Sequence, residues 1–158
     1  MLTKYIGKAQ LVLGVVCLSV FIVAILIQVF ARYLAIPVIW TEEVANFSFI
    51  WSVFMGASIM VNRKEHFRFT GLTEKLKGRS KLYLDILVNV IVLVFNVLLI
   101  YYGALAVQTF WNYTWISLPK LKMGYVWSCI PIMGLTMSIY LVEHIIDDLG
   151  KLRRREYE

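Results

Sequence analysis

Four stretches of this chain carry no Asp, Glu, Lys or Arg: residues 9–31, 44–62, 86–119 and 123–142. Uncharged runs of that length leave few folds open, because a helix needs about 20 apolar residues to cross a hydrocarbon core about 30 Å thick. The composition points the same way. With 158 residues, 60% of them hydrophobic, and a mean hydropathy of +0.73, the chain lies outside the range of soluble domains of its size. The spacing predicts membrane helices near 9–31, 43–62, 84–109 and 124–145, an all-α fold with four transmembrane helices in a single integral membrane domain over 1–158. The segment from Phe110 to Pro119, rich in Trp and Tyr, reads as interface and loop. The first apolar run exceeds a signal-peptide core of about 7–15 residues. Arg32-Tyr33 follow it where small cleavage-site residues belong, so it is expected to remain as a span.

The basic residues orient the spans. With four crossings, the N-terminus, the second connection and the C-terminus share one side, and thirteen of the 16 Lys and Arg residues fall there. Arg32, Lys120 and Lys122 fall on the other. That asymmetry predicts cytoplasmic N- and C-termini. The net charge of +6 then follows from topology and from attraction to anionic membrane lipids, so no nucleic-acid partner is invoked. Two short segments have amphipathic spacing: one carries Leu2, Tyr5, Ile6 and Ala9 and is expected to lie flat at the interface, and the other, with Phe69, Leu72 and Leu76, reads equally as an interfacial segment or as a solvated basic loop.

Proton and ion paths need ionisable side chains at membrane depth, and these spans hold none. Their polar residues are amides and hydroxyls: Gln28, Asn46, Ser48, Ser52, Asn89, Asn96 and Thr136. Such groups chiefly join helices. Ala45, Ser48, Ser52 and Gly56 form a small-residue stripe suited to close helix approach, with Phe47, Phe49, Trp51 and Phe54 on the other faces. Pro131 removes a backbone donor and is expected to kink the fourth span, with Gly134 relieving the crowding. Cys17 and Cys129 read as small buried hydrophobes. His66 and His144 map to wet helix ends, which argues against a haem, and no cofactor is expected.

Three stretches together resemble a known family. QVFARYLAIPVIWTEEVANFSFIWSVFMGAS (28–58), RKEHFRF (63–69) and SLPKLKMGYVWSCIPIMG (117–134) are similar to the small membrane subunit of tripartite ATP-independent periplasmic (TRAP) transporters. The residues that carry the likeness include Arg32, Trp40-Thr41-Glu42-Glu43, Trp51, Gly56, His66 with Arg68, and Pro131 with Gly134. Thr70 and Leu76-Lys77 depart from the family's loop pattern.

The resemblance implies a scaffold subunit in the bacterial inner membrane, without catalytic residues. Its implied partners are a large membrane subunit carrying sodium-coupled transport and a periplasmic solute-binding protein delivering an organic acid, such as sialic acid or a dicarboxylate. The alternative is a self-sufficient four-helix exporter acting as a homodimer, which would need an embedded carboxylate. Within the Trp-Thr-Glu-Glu stretch, Thr41 is expected to cap the second helix and Glu42 and Glu43 to occupy its first turn. Arg32 is near enough in chain to pair with either glutamate. A docking role for these residues toward the large subunit or the binding protein stands beside that reading.

Overall fold

The computed structural model describes residues 2–64 and 78–154. Among them, five helices follow in order: α1 (Leu2–Tyr33), α2 (Trp40–Asn62), α3 (Arg79–Phe110), the short α4 (Met123–Trp127) and α5 (Cys129–Arg154). The last two run on as one span, so four helices are long and apolar enough to cross a membrane. Most helices extend past the uncharged stretches, because a terminal Lys or Arg can reach the interface while its backbone continues the helical ladder. The segment with Tyr5, Ile6 and Ala9 is accordingly no separate in-plane element. It forms the first turns of α1, and Ile6 packs on Val61, Tyr140 and Leu141. The second amphipathic segment lies outside the described residues.

Helix α1 packs mainly on α2 and α3 mainly on α5, while α2 against α5 joins the two pairs. Consequently α1 and α3 take the flanks and expose most of their apolar side chains. At the end of α1 the chain turns sharply. Ala35 adopts φ 55°, and the Ile36 N–H bonds the Ala31 carbonyl at 2.9 Å, closing the helix as a glycine ordinarily would.

Glycines set the α3–α5 contact from both sides. A Cβ on Gly103 would lie 2.8 Å from Ile130 Cγ2 and 3.1 Å from Pro131 Cδ, and one on Gly134 would lie 2.7 Å from Ile100 Cγ1. Gly134 therefore admits α3 to α5; it does not relieve strain around the proline. Pro131 itself sits in the first turn of α5, and the interruption falls one turn earlier, at Ser128. The reason is that a proline withholds its N–H from the carbonyl four residues before it.

The centre of the bundle is joined by a polar node. Gln10 of α1 donates through Nε2 to Ser58 Oγ of α2 at 2.9 Å and to Thr136 Oγ1 of α5 at 2.8 Å. The Tyr140 hydroxyl donates to Gln10 Oε1 at 2.6 Å. Ser58 and Thr136 also bond each other at 2.9 Å. Gln10, Ser58 and Tyr140 are all buried, so every polar group here must find its partner inside the protein. Asn89 and Asn96 are buried as their shared face implies, but Asn96 bonds the Val92 carbonyl of its own helix at 3.1 Å instead of crossing to another.

Two substitutions test this packing. Gln10→Leu strands the Tyr140 hydroxyl and should destabilise the chain by about 1–2 kcal/mol in denaturant titrations in detergent. Gly134→Leu drives a side chain into Ile100, and the same titration should show a loss of about 1–3 kcal/mol from overpacking.

Candidate partner interface

The two ends of the bundle are built differently. At the far end, where α1 gives way to α2, the first turn of α2 presents Glu42 and Glu43. Glu42 points out and is exposed. Glu43 reaches across to the loop between α3 and α4, where Oε1 accepts the Ile116 N–H and Oε2 the Ser117 N–H, each at 2.7 Å. Both carboxylate oxygens are thus used, one on each of two successive backbone donors, which makes both bonds short and charge-assisted. One turn along α2, the Phe47 ring meets the Trp115 ring edge-on at 4.5 Å, and the Ser117 hydroxyl reaches the Ile39 carbonyl at 3.4 Å. Together these contacts fasten the loop to α2.

The loop has its own order. Thr114 and Lys122 pair as an antiparallel bridge, the Trp115 N–H bonds the Leu121 carbonyl at 3.0 Å, and the Met123 N–H bonds the Tyr113 carbonyl at 2.8 Å. Aromatic rings brace it. Phe110 stacks on Trp127 at 5.1 Å, Trp111 tilts against Tyr125 at 5.7 Å, and Lys122 lies over the Trp111 ring at 5.6 Å. Gly124 leaves room for Trp111 to lie against the α4 backbone. The end that emerges is a rigid aromatic platform at interfacial depth.

Two sequence expectations for this end are corrected. Thr41 is not the cap of α2: the helix begins at Trp40, the capping position is Ile39, and the buried Thr41 hydroxyl donates back to the Val38 carbonyl at 3.2 Å. Arg32 is exposed in the last turn of α1 and forms no ion pair with Glu42 or Glu43 among the described residues. The turn through Ala35 separates them, and Glu43 is already committed to two amides.

The other residues singled out from sequence divide as follows. Trp40 is 42% exposed. Trp51, Ser48 and Ser52 are half-buried, and both serines return their hydroxyls to carbonyls of their own helix, Ser48 to Val44 at 2.5 Å and Ser52 to Phe49 at 2.8 Å. A Cβ on Gly56 would meet nothing within 4 Å, so the small-residue stripe is only partly used inside this chain. The α2 face buried in the bundle runs instead through Thr41, Ala45, Met55, Ser58 and Val61. Pro131 and Gly134 sit at the α3 contact, while His66 and Arg68 lie outside the described residues.

At the terminal end, where α1 begins and α5 ends, charged side chains gather. Lys64 bonds the buried Asp148 at 3.0 Å, and Lys151 bonds Asp147 at 2.8 Å. His144 donates through Nε2 to the Val61 carbonyl at 3.1 Å, which also accepts the Lys64 N–H at 3.0 Å, so the end of α2 is tied to α5. Sequence reasoning missed Gln10, Tyr140 and Asp148, and met Ser58 only as the last residue of the 28–58 stretch. A signal existed for Gln10, the amide nearest the first apolar run, which shares a helix face with Gly7 and Gly14.

Glu43→Gln should leave one of the two loop amides without an acceptor, since a carboxamide offers one oxygen. Hydrogen–deuterium exchange at Ile116 and Ser117 should accelerate by about 10- to 100-fold, corresponding to about 1–3 kcal/mol. Arg32→Gln should change it little, and the double variant should equal the sum of the two.

Comparison with known proteins agrees with this architecture over nearly the whole chain. Residues 21–151 match the family model described as tripartite ATP-independent periplasmic transporters, DctQ component. The chain is 25% identical to a Haemophilus influenzae protein assigned as a TRAP transporter small permease, over 98% of this chain and 96% of that protein. It is 24% identical to the sialic acid TRAP transporter small permease protein SiaQ of Vibrio cholerae, over 93% of this chain and 85% of that one. A third relative is far longer: 89% of this chain aligns at 23% identity with 23% of the sialic acid TRAP transporter permease protein SiaT of Haemophilus influenzae. With a family match that extends over most of its length and four spans of the expected kind, the chain belongs to the DctQ component family of tripartite ATP-independent periplasmic transporters.

Proposed function

We propose that this chain is the small permease subunit of a TRAP-type secondary transporter, a scaffold that holds a large membrane subunit while that partner carries ion-coupled import. The observation that carries this reading is where the polar groups sit. The ionisable side chains of the described helices gather at the two ends, and the buried node between them, Gln10, Ser58, Thr136 and Tyr140, spends its hydrogen bonds within the protein. A transport path needs polar groups that face a cavity and exchange partners. A saturated node serves to hold three helices together.

The cargo is read as an organic acid, sialic acid or a dicarboxylate, with sodium as the coupling ion and a periplasmic binding protein as the donor. Sialic acid appears in the names of two relatives of low identity, which supports the substrate class. The terminal end, with most of the basic residues, is placed in the cytoplasm by the positive-inside rule, which puts the Glu43 platform at the periplasmic face of the inner membrane. There Trp40 and the loop held by Glu43 are the proposed contacts for partner subunits, and the open Gly56 with Trp51 offers the large subunit a close approach within the membrane.

Co-expression with a large TRAP permease subunit, followed by affinity purification through this chain in mild detergent, should recover both subunits together. In liposomes, uptake should require both subunits, the binding protein and an inward sodium gradient. Transport by this chain without the others would overturn the proposal. A green fluorescent protein fused after Glu158 should fluoresce, as cytoplasmic fusions do, and an alkaline phosphatase there should be inactive.

A further inference from the structure

At the terminal end, the first turns of α1, the last turn of α2 and the final third of α5 enclose a cleft of about 450 Å³. Its volume lies within the range of small-ligand sites. Lys4 and Lys8 project from α1 and Arg63 from the end of α2, and among the described residues none of the three forms an ion pair. Of the two carboxylates in the lining, Asp147 is paired with Lys151 at 2.8 Å, while Glu143 accepts from the Thr3 hydroxyl at 3.3 Å and keeps its charge. Among the described residues, Lys4, Lys8 and Arg63 still outnumber that one carboxylate, so the cleft keeps an excess of positive charge. Asn62 adds an amide, seated where Gly7 lacks a side chain.

One edge of the cleft is apolar. Leu11 lines it and begins an exposed stripe along α1, with Val15, Leu18 and Ile22 following at helical spacing and 43–55% exposed. A ligand that suits both parts carries an anionic phosphate and a long hydrocarbon chain that leaves it along the helix. We propose that the cleft is a binding site for one anionic phospholipid, its headgroup phosphate held by Lys4, Lys8 and Arg63 and one acyl chain laid on the Leu11–Ile22 stripe. Phosphate suits this set of donors because guanidinium and ammonium groups form charge-assisted bonds to its oxygens. The site also lies at the depth where a headgroup resides, since α1 enters the apolar span within one turn of Lys8. Such a lipid would bridge α1, α2 and α5 on the side where α1 touches α5 only lightly.

The test uses the full chain purified with its large partner, delipidated in detergent and titrated with single lipids under native mass spectrometry. Phosphatidylglycerol should bind the wild-type complex at least about 10-fold more tightly than phosphatidylethanolamine of the same chain length. Lys8→Gln with Arg63→Gln should weaken phosphatidylglycerol by about 30-fold, while Lys8→Arg should retain it. Lys120→Gln with Lys122→Gln, at the opposite end, should change nothing. Equal binding by the wild type and the Lys8/Arg63 double variant would overturn the site. Equal affinity for the two lipids would overturn the anionic preference. Full displacement of phosphatidylglycerol by millimolar inorganic phosphate would show a free-anion site and overturn the lipid assignment.

Discussion

In hydrocarbon a leucine gains almost nothing by exchanging lipid for another leucine, so helices cohere through close backbone approach and through polar groups that have no other partner. The arrangement of this chain depends on that constraint. Gln10 meets it at one point by joining α1, α2 and α5 through a single amide whose donors and acceptor are all engaged. Gly103 and Gly134 meet it at another by letting α3 and α5 come within side-chain contact of each other's backbone. The large exposed apolar surface of α1 and α3 is compatible with stability for the same reason: facing lipid is not a penalty there.

The far end obeys different physics. Around Glu43 the surroundings are interfacial, and a loop has unpaired backbone donors that water would otherwise satisfy. A carboxylate in the first turn of α2 faces the positive end of its own helix and two foreign amides at once. This gives Glu43 a structural reason to stand beside a long apolar run. Glu43 orders the loop that carries Trp115, while Glu42 is exposed.

The four spans were legible because charge is costly in lipid and its distribution marks helix limits within about two turns. Family membership was legible in the Trp-Thr-Glu-Glu stretch and its neighbours. Contacts between helices were much less so. The stripe through Ser48, Ser52 and Gly56 suits a close helix approach, yet spacing along one helix does not reveal which face a neighbour takes: within the chain both hydroxyls turn back on α2 and Gly56 is open. Gln10 escaped notice because it stands beside Lys8 and reads as a flanking residue until α5 brings Thr136 and Tyr140 to it. The pairing of Arg32 with a glutamate failed for a related reason: nearness in chain says nothing of direction once Ala35 has turned the backbone.

Because the Gln10 node spends its hydrogen bonds within the chain, the proposed role as a scaffold rests on the outer surfaces. Those surfaces are not alike. The aromatic platform is stiffened by Glu43, by the bridge between Thr114 and Lys122 and by stacked rings, so a protein docking there meets a surface already ordered and loses little entropy in fixing it. The flanks of α1 and α3 are mostly apolar, with a few polar groups among them, such as Ser19 on α1 and the exposed Tyr101 and Tyr102 on α3. Selective assembly in the membrane must then come from the few places where the surface departs from uniform Leu, Ile and Val. Gly56, where a close approach is possible, is one, and half-exposed Trp40 at the interface is another. Sparse, fixed contact points of this kind fit the proposed scaffold role, since they would hold a partner helix in one register.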